Sequence, residues 1–159
     1  MIHVLPIDHR NLQVARQMHA ILSLAYAQEA ALMNAKRFAD HDETVEEIQG
    51  SDEFCLGAIR ENVLVGFLTI GRDEEPDQIS ISTLVVHPAH QRQGVGRELV
   101  HEAVLRSQGM TLSVSTGASN TPALSLYKKL GFHEYRLGTI GPENLALVEL
   151  RKPCALTPR

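Results

Sequence analysis

Gly94 and Gly96 stand one residue apart where the apolar run Leu84-Val85-Val86 gives way, through His87-Pro88-Ala89-His90-Gln91-Arg92-Gln93, to the helical pattern that begins near Val95. Glycine carries no side chain, so the backbone at such a turn can approach a ligand closely. A helix that starts there presents unpaired N–H groups and the positive end of its dipole, which suits a pyrophosphate. Arg92 and Arg97 add positive charge beside it. Two better-known phosphate loops do not match. A nucleotide P-loop needs Gly-Lys followed by Ser or Thr, whereas Gly96 precedes Arg97 and Glu98. A dinucleotide turn needs a third small residue where Leu99 stands. Taken alone, Gly94-x-Gly96 fits a plain strand-to-helix turn equally well.

Other reactive side chains read as less specific. His87, His90 and His101 are joined by no cysteine, proline follows His87, and the helix bearing His101 points away from the turn, so no metal site is read. Cys55 lies in a strand pattern and reads as a small core residue. Residues 40–53 hold seven acids and neither lysine nor arginine, and Asp73, Glu74, Glu75 and Asp77 make a second acidic turn. A solvated helix face with its flanking loops accounts for such a run.

The elements that would position these groups follow from periodicity. Alternation over residues 2–6 predicts an edge strand, because Pro6 cannot donate to a central ladder. Asp8 stands where a helix N-cap belongs, and Leu12, Ala15, Met18, Ile21, Leu22 and Ala25 mark one helical face. A second helical stretch is expected over residues 28–34 and a third over 43–49, closed by Gly50. Residues 54–60, 63–71 and 79–86 are short, apolar and separated by turn signals, so they read as consecutive antiparallel strands. A helix from Gly94 or Val95 to Gly109, a strand over 110–115, a helix over 120–130 ended by Gly131, and strands over 132–137 and 145–150 complete the chain. This is an α/β order (α+β in some schemes). It implies a mixed, mostly antiparallel sheet of six or seven strands with helices on both faces.

Composition narrows the class. The chain has 159 residues, 43% hydrophobic and 21% charged, with a net charge of −4. That length predicts one domain, here residues 1–152 with a tail over 153–159, and a core that needs no metal or disulfide. The negative balance argues against nucleic acid as a partner. Two distant cysteines suit a reducing, cytoplasmic setting. Residues 1–8 lack the pattern of a signal peptide, and the run 62–71 is too short to span a bilayer, so no membrane association is expected.

Two motifs then converge. Gln91-x-x-Gly94-x-Gly96, preceded by Leu84-Val85-Val86-His87-Pro88, resembles the acyl-CoA signature of the GNAT superfamily of N-acyltransferases. Asn120-x-x-Ala123-x-x-Leu126-Tyr127-x-x-x-Gly131-Phe132 is similar to that family's second motif, in the right order and on the right elements. The resemblance implies two central parallel strands splayed to hold acyl-CoA, with acetyl-CoA as the acyl donor. It implies that the pantetheine arm pairs with the backbone of Leu84, Val85 and Val86. The pyrophosphate would sit on the turn formed by Gln91, Arg92, Gln93, Gly94, Val95, Gly96 and Arg97. Asn120 would contact the cofactor arm as well as capping its helix. Tyr127 would lie near the CoA sulfur as general acid, useful because a thiol of pKa ~8.5 is a moderate leaving group. A strand amide near Val86 would polarise the thioester carbonyl.

The general base is where the sequence departs from that family. Neutralising a lysine-like amine of pKa ~10.4 near pH 7 costs roughly 4–5 kcal/mol without assistance. Ser80 stands where many histone-type relatives carry glutamate, and Ser115 where ribosomal-protein-type N-terminal acetyltransferases carry one. A water held by Ser80, Ser82 or Thr83, or an acid on a loop, is left to do this work. The acidic segments then gain a second reading as a rim for a cationic amine. The expected activity is transfer of acetyl from acetyl-CoA to a primary amine in a ternary complex, the acceptor being a small cationic amine. The alternatives are a protein lysine or N-terminal amine, and a non-catalytic acyl-CoA sensor. Homodimers are common in that family, so a second copy of the chain is one partner the resemblance allows.

Overall fold

The computed structural model describes residues 1–32 and 43–154. Strand β1 (His3–Pro6) leads to helix α1 (Leu12–Leu32), then α2 (Val45–Gly50), β2 (Phe54–Arg60), β3 (Val63–Arg72) and β4 (Gln78–Val86). A 3-10 turn over Pro88–His90 precedes α3 (Val95–Arg106), β5 (Thr111–Gly117), α4 (Thr121–Lys129), β6 (His133–Ile140) and β7 (Leu145–Pro153). The seven strands form one sheet in the order β1-β2-β3-β4-β5-β7-β6. Strands β4 and β5 are parallel, and every other neighbouring pair is antiparallel.

Alternation along the strands sends side chains to two separate cores. On β2 and β3, Leu56 and Leu68 join Leu99, Val100 and Ala103 of α3 and Tyr127 of α4. Their neighbours Cys55 and Phe67 join Ala15, Met18, Ile21 and Leu22 of α1 and Ile48 of α2. The helices therefore flank the sheet on both faces. No helix among the described residues is long and apolar enough to cross a membrane.

Several local expectations are revised. Asn11, not Asp8, caps α1: its Oδ1 accepts from the Val14 N–H at 3.2 Å, while Asp8 accepts from the Arg10 N–H in the turn before it. The break foreseen before residue 28 is absent, and α1 runs through it to Leu32. Ala27-Gln28-Glu29-Ala30-Ala31-Leu32 contains only strong helix formers, so a weakening apolar stripe does not end the helix. The remainder of that stretch, residues 33–34, lies outside the described residues. Helix α2 starts with a reciprocal cap, Thr44 Oγ1 accepting from Glu47 N–H and Glu47 Oε1 from Thr44 N–H. Pro153, assigned to a tail by the sequence, is the last residue of β7 and pairs with Thr111.

The parallel pairing of β4 with β5 runs only from Gln78↔Thr111 to Ile81↔Val114. Beyond that point β4 follows β3 to Val86 and β5 follows β7 to Gly117. An irregularity in β4 falls at the fork, since Ile81 pairs with Ile70 and Thr83 with Thr69, leaving Ser82 as the extra residue. Such a bulge bends its strand. The fork between β4 and β5 opens there.

Candidate active site

On the forward side of the fork, the outer edge of Leu84, Val85 and Val86 faces a cavity of about 440 Å³. The same cavity is walled by Gln91, Arg92, Gly94, Val95, Gly96, Arg97 and Asn120. Gln93 is not in that wall; its side chain is turned to the guanidinium of Arg60. Gly94 has a φ of +84°, a left-handed conformation that permits the strand-to-helix turn, and it caps α3 with no side-chain hydrogen bond. The first turn of the helix ladder is Glu98 N–H to Gly94 carbonyl at 3.0 Å. The N–H groups of Val95, Gly96 and Arg97 thus have no partner within the helix. Three unpaired amides and the helix dipole favour an anion in this cavity.

Asn120 is buried, and its Oδ1 accepts from the Ala123 N–H at 3.3 Å as the cap of α4. That leaves its amide nitrogen as the group able to meet a ligand. Gly96 lies under α4, where an added Cβ would sit 3.4 Å from a Leu126 methyl.

A second cavity, of about 200 Å³, lies at the fork itself. Tyr26, Ser82, Thr83, Ser115, Thr116 and Tyr127 supply its polar wall, and Ile140 and Leu147 part of its apolar wall. It shares Leu84 and Ala123 with the larger cavity, so the two abut. Tyr127 is 4% exposed, with its ring tilted against Phe132 at 5.6 Å between centroids. Tyr26, Ile140 and Leu147 were not foreseen as site residues; no motif marks them, and only the fold brings them to the fork.

Ser80 is placed elsewhere. It does not line the cavity; its Oγ donates to Asp73 Oδ2 at 3.0 Å and lies 2.5 Å from Ser113 Oγ. Ser113 Oγ and Gln78 Nε2 also donate to Asp73 Oδ2, at 2.8 and 3.0 Å, and the Glu75 N–H donates to its other oxygen. Burial pushes the Asp73 carboxyl up, but the hydrogen bonds from Gln78, Ser113, Glu75 and Ser80 outweigh it and hold the group at about 2. The bulge carries Ser82 to the wall in the place expected for Ser80.

The acidic stretch divides by partner. Glu47 serves the α2 cap, Asp52 pairs with Arg10 at 3.3 Å, and Glu53 Oε2 accepts from Ser82 Oγ. Asp40 and Asp42 lie outside the described residues. His87 Nδ1 accepts from the Ala89 N–H, and His90 Nδ1 lies 3.3 Å from Arg60. Among the described residues no three His, Cys, Asp or Glu side chains gather as a metal site. The buried Cys55 thiol is pushed up to about 12 by burial and then by Glu53 and Glu43, which disfavours the thiolate.

Comparison with known proteins agrees with this architecture. The model of the acetyltransferase (GNAT) family matches residues 9–132. The UPF0157 protein YqkA of Bacillus subtilis is 30% identical over 129 residues, which cover 80% of this chain and 37% of that protein. The chain thus spans little more than a third of that relative. N-alpha-acetyltransferase RimI of Mycobacterium tuberculosis is 29% identical over 123 residues, covering 73% of this chain and 78% of the relative. Among solved structures, the ribosomal-protein-S18-alanine N-acetyltransferase of Escherichia coli shares the fold with a TM-score of 0.76 at 20% identity, covering 100% of this chain and 97% of that one.

Proposed function

This chain belongs to the acetyltransferase (GNAT) family, and from that premise we propose that it transfers the acetyl group of acetyl-CoA to a primary amine by direct attack in a ternary complex. The observation that carries the reading is the meeting of two cavities at Leu84 and Ala123, one walled by unpaired helix amides and the other by Tyr127 and serine hydroxyls. The residues fit the donor. Val95, Gly96 and Arg97 would hold the pyrophosphate through their amides, with Arg92 and Arg97 adding charge, and Gln93 has no direct part. The free edge of Leu84 to Val86 would pair with the pantetheine amides as an added strand does. Asn120 would meet the same arm. When bound, acetyl-CoA supplies the thioester.

At the fork, the Tyr127 hydroxyl is the proton donor for the departing sulfur. A β4 amide near Val86 polarises the carbonyl. The acceptor we favour is a small cationic amine, because a cavity of about 200 Å³ admits an amine on a short chain and the Glu53 carboxylate stands behind Ser82 in its wall. A second reading, the N-terminal amine of a protein, is favoured by the names of the relatives similar to this chain. We place the reaction in the cytoplasm, a reducing setting in which two buried thiols persist.

The deciding experiment is CoA release from acetyl-CoA with a panel of diamines, aminoglycosides and short peptides. Turnover greatest with the small polycations supports the first acceptor. Turnover greatest with peptides supports the second. Tight acetyl-CoA binding with no turnover on any amine would replace the enzyme with a sensor.

A further inference from the structure

We propose that Ser82 and Glu53 form a proton relay that neutralises the acceptor amine, Ser82 meeting the substrate and Glu53 positioning and polarising it from behind. The inference rests on the acetyltransferase reading of the site. An amine of pKa ~10.4 is about one part in a few thousand neutral at pH 7, so attack on a thioester needs a proton acceptor close by. Neither β4 (Gln-Ile-Ser-Ile-Ser-Thr-Leu-Val-Val) nor β5 (Thr-Leu-Ser-Val-Ser-Thr-Gly) carries a carboxylate. Among the described residues, Asp73, Glu149 and Glu53 are carboxylates on other elements that bond to β4 or β5 residues or pair beside them. Asp73 is saturated by four donors, which makes it a poor proton acceptor. Glu149 is paired in two places with Arg136. Glu53 accepts from Ser82 Oγ, and Ser82 is in the cavity wall with Tyr127.

Glu53 precedes β2 and reaches Ser82 by crossing β3, and the crossing point is Gly71. A Cβ built on Gly71 would lie 2.6 Å from Glu53 Oε2 and 3.2 Å from Ser82 Oγ. Gly71 is not among the glycines with positive φ, so its backbone is one that any residue can adopt. The site uses the missing side chain for room. The bulge at Ser82 supplies the rest, turning one hydroxyl out of the regular alternation and into the path between Glu53 and the cavity. A glycine with no conformational need for being one, a bulge, and a carboxylate–hydroxyl contact coincide directly behind Ser82, which itself lines the cavity.

The proton balance closes. The ammonium passes one proton to Ser82 Oγ while Ser82 passes its own to Glu53, which restores the serine hydroxyl. The freed lone pair forms the N–C bond. The C–S bond breaks as Tyr127 gives its proton to sulfur, and the second proton on the adduct nitrogen returns Tyr127 to the phenol. Glu53, partly exposed, releases its proton to water, the single proton the overall transfer produces.

The test is the pH profile of kcat/KM for wild type, Glu53→Gln, Ser82→Ala and Gly71→Ala, using the best amine from the panel. Calorimetric affinity for acetyl-CoA checks that each variant retains its fold. The relay predicts a loss on the order of 10²-fold at pH 7 in Glu53→Gln and Ser82→Ala. That loss shrinks steadily as pH rises toward the pKa of the amine, where free amine no longer needs a base. Gly71→Ala, which leaves both partners in place but obstructs the carboxylate, shows the same pH-dependent loss. A ratio to wild type that stays constant from pH 6.5 to 9.5 overturns the relay, since damage to packing does not depend on amine ionisation. Normal profiles in the variants overturn it as well. If wild type binds acetyl-CoA and acetylates no amine, the functional reading fails instead, which is a separate result.

Discussion

Gln28 on α1 and Gln91 on the glycine turn exchange two hydrogen bonds: Gln28 Nε2 donates to Gln91 Oε1 at 2.9 Å, and Gln91 Nε2 donates to Gln28 Oε1 at 2.5 Å. The same Gln91 amide also reaches the Val86 carbonyl at 3.3 Å. Tyr26, two residues before Gln28, lines the smaller cavity. One helix therefore lines the smaller cavity and holds the turn that walls the larger one.

Gln28→Ala removes both bonds to Gln91 at an exposed site, where each contributes about 1 kcal/mol or less. Thermal stability should change little, while KM for acetyl-CoA rises several-fold and kcat stays near wild type. Steady-state kinetics at saturating amine measures this split.

Gly94→Ala forces a Cβ into a φ of +84°, although nothing lies within 4 Å of where that Cβ would sit. The strain is roughly 1–2 kcal/mol, and relieving it rotates the amides at the start of α3. Calorimetry should show acetyl-CoA affinity lower by about tenfold. Gly96→Val, crowding Leu126, should weaken it at least as much.

Tyr127→Phe keeps the ring against Phe132 and removes the hydroxyl. The fold and acetyl-CoA affinity should persist, and kcat should fall by about 10²-fold, the range for loss of a general acid. Single-turnover transfer is the direct measurement, and an unchanged rate would leave the tyrosine with a packing role alone.

Asp73 has a folded pKa of about 2, below the unfolded value of ~3.9. A depressed carboxyl contributes its stability above the unfolded value and loses it as pH falls through the folded one. Asp73→Asn should therefore be less stable than wild type at pH 5–7, with the difference closing between about pH 4 and pH 2. Denaturant titrations of both proteins across that range give the comparison.

Much of this was readable from residue types, and the reasons are local. Residues 54–60 were delimited to the residue because Glu61-Asn62 separates two apolar runs, and both adopt positive φ, 51° and 63°, as a two-residue hairpin loop requires. The glycine turn was legible because its geometry depends on what Gly94 lacks. Relationships across strands were not. Whether Ser80 or Ser82 faces the cavity depends on a bulge that leaves no mark in an apolar–polar alternation. Glu53 read as one more acid in a charged run, since only the register of three strands brings it over Gly71 to Ser82. The end of α1 was misplaced because the apolar stripe thins after Ala25, whereas the backbone there meets no breaker.

Because β4 and β5 share pairs only from Gln78↔Thr111 to Ile81↔Val114, the sheet is mechanically two leaves, β1 to β4 and β5-β7-β6, bound along a short spine. Asp73 stitches that spine by holding Ser80 and Ser113, one from each leaf. Beyond that spine the leaves are joined by packing, Leu56, Leu68 and Ile81 of one sharing a buried core with Leu112, Val114 and Leu150 of the other. The spine ends at Ile81 and Val114, both in the wall of the smaller cavity, so the stitched rungs border the gap directly. Replacing Asp73 should loosen the join between the leaves, and the affinities of acetyl-CoA and a longer acyl-CoA, compared before and after, measure whether the gap widens with it.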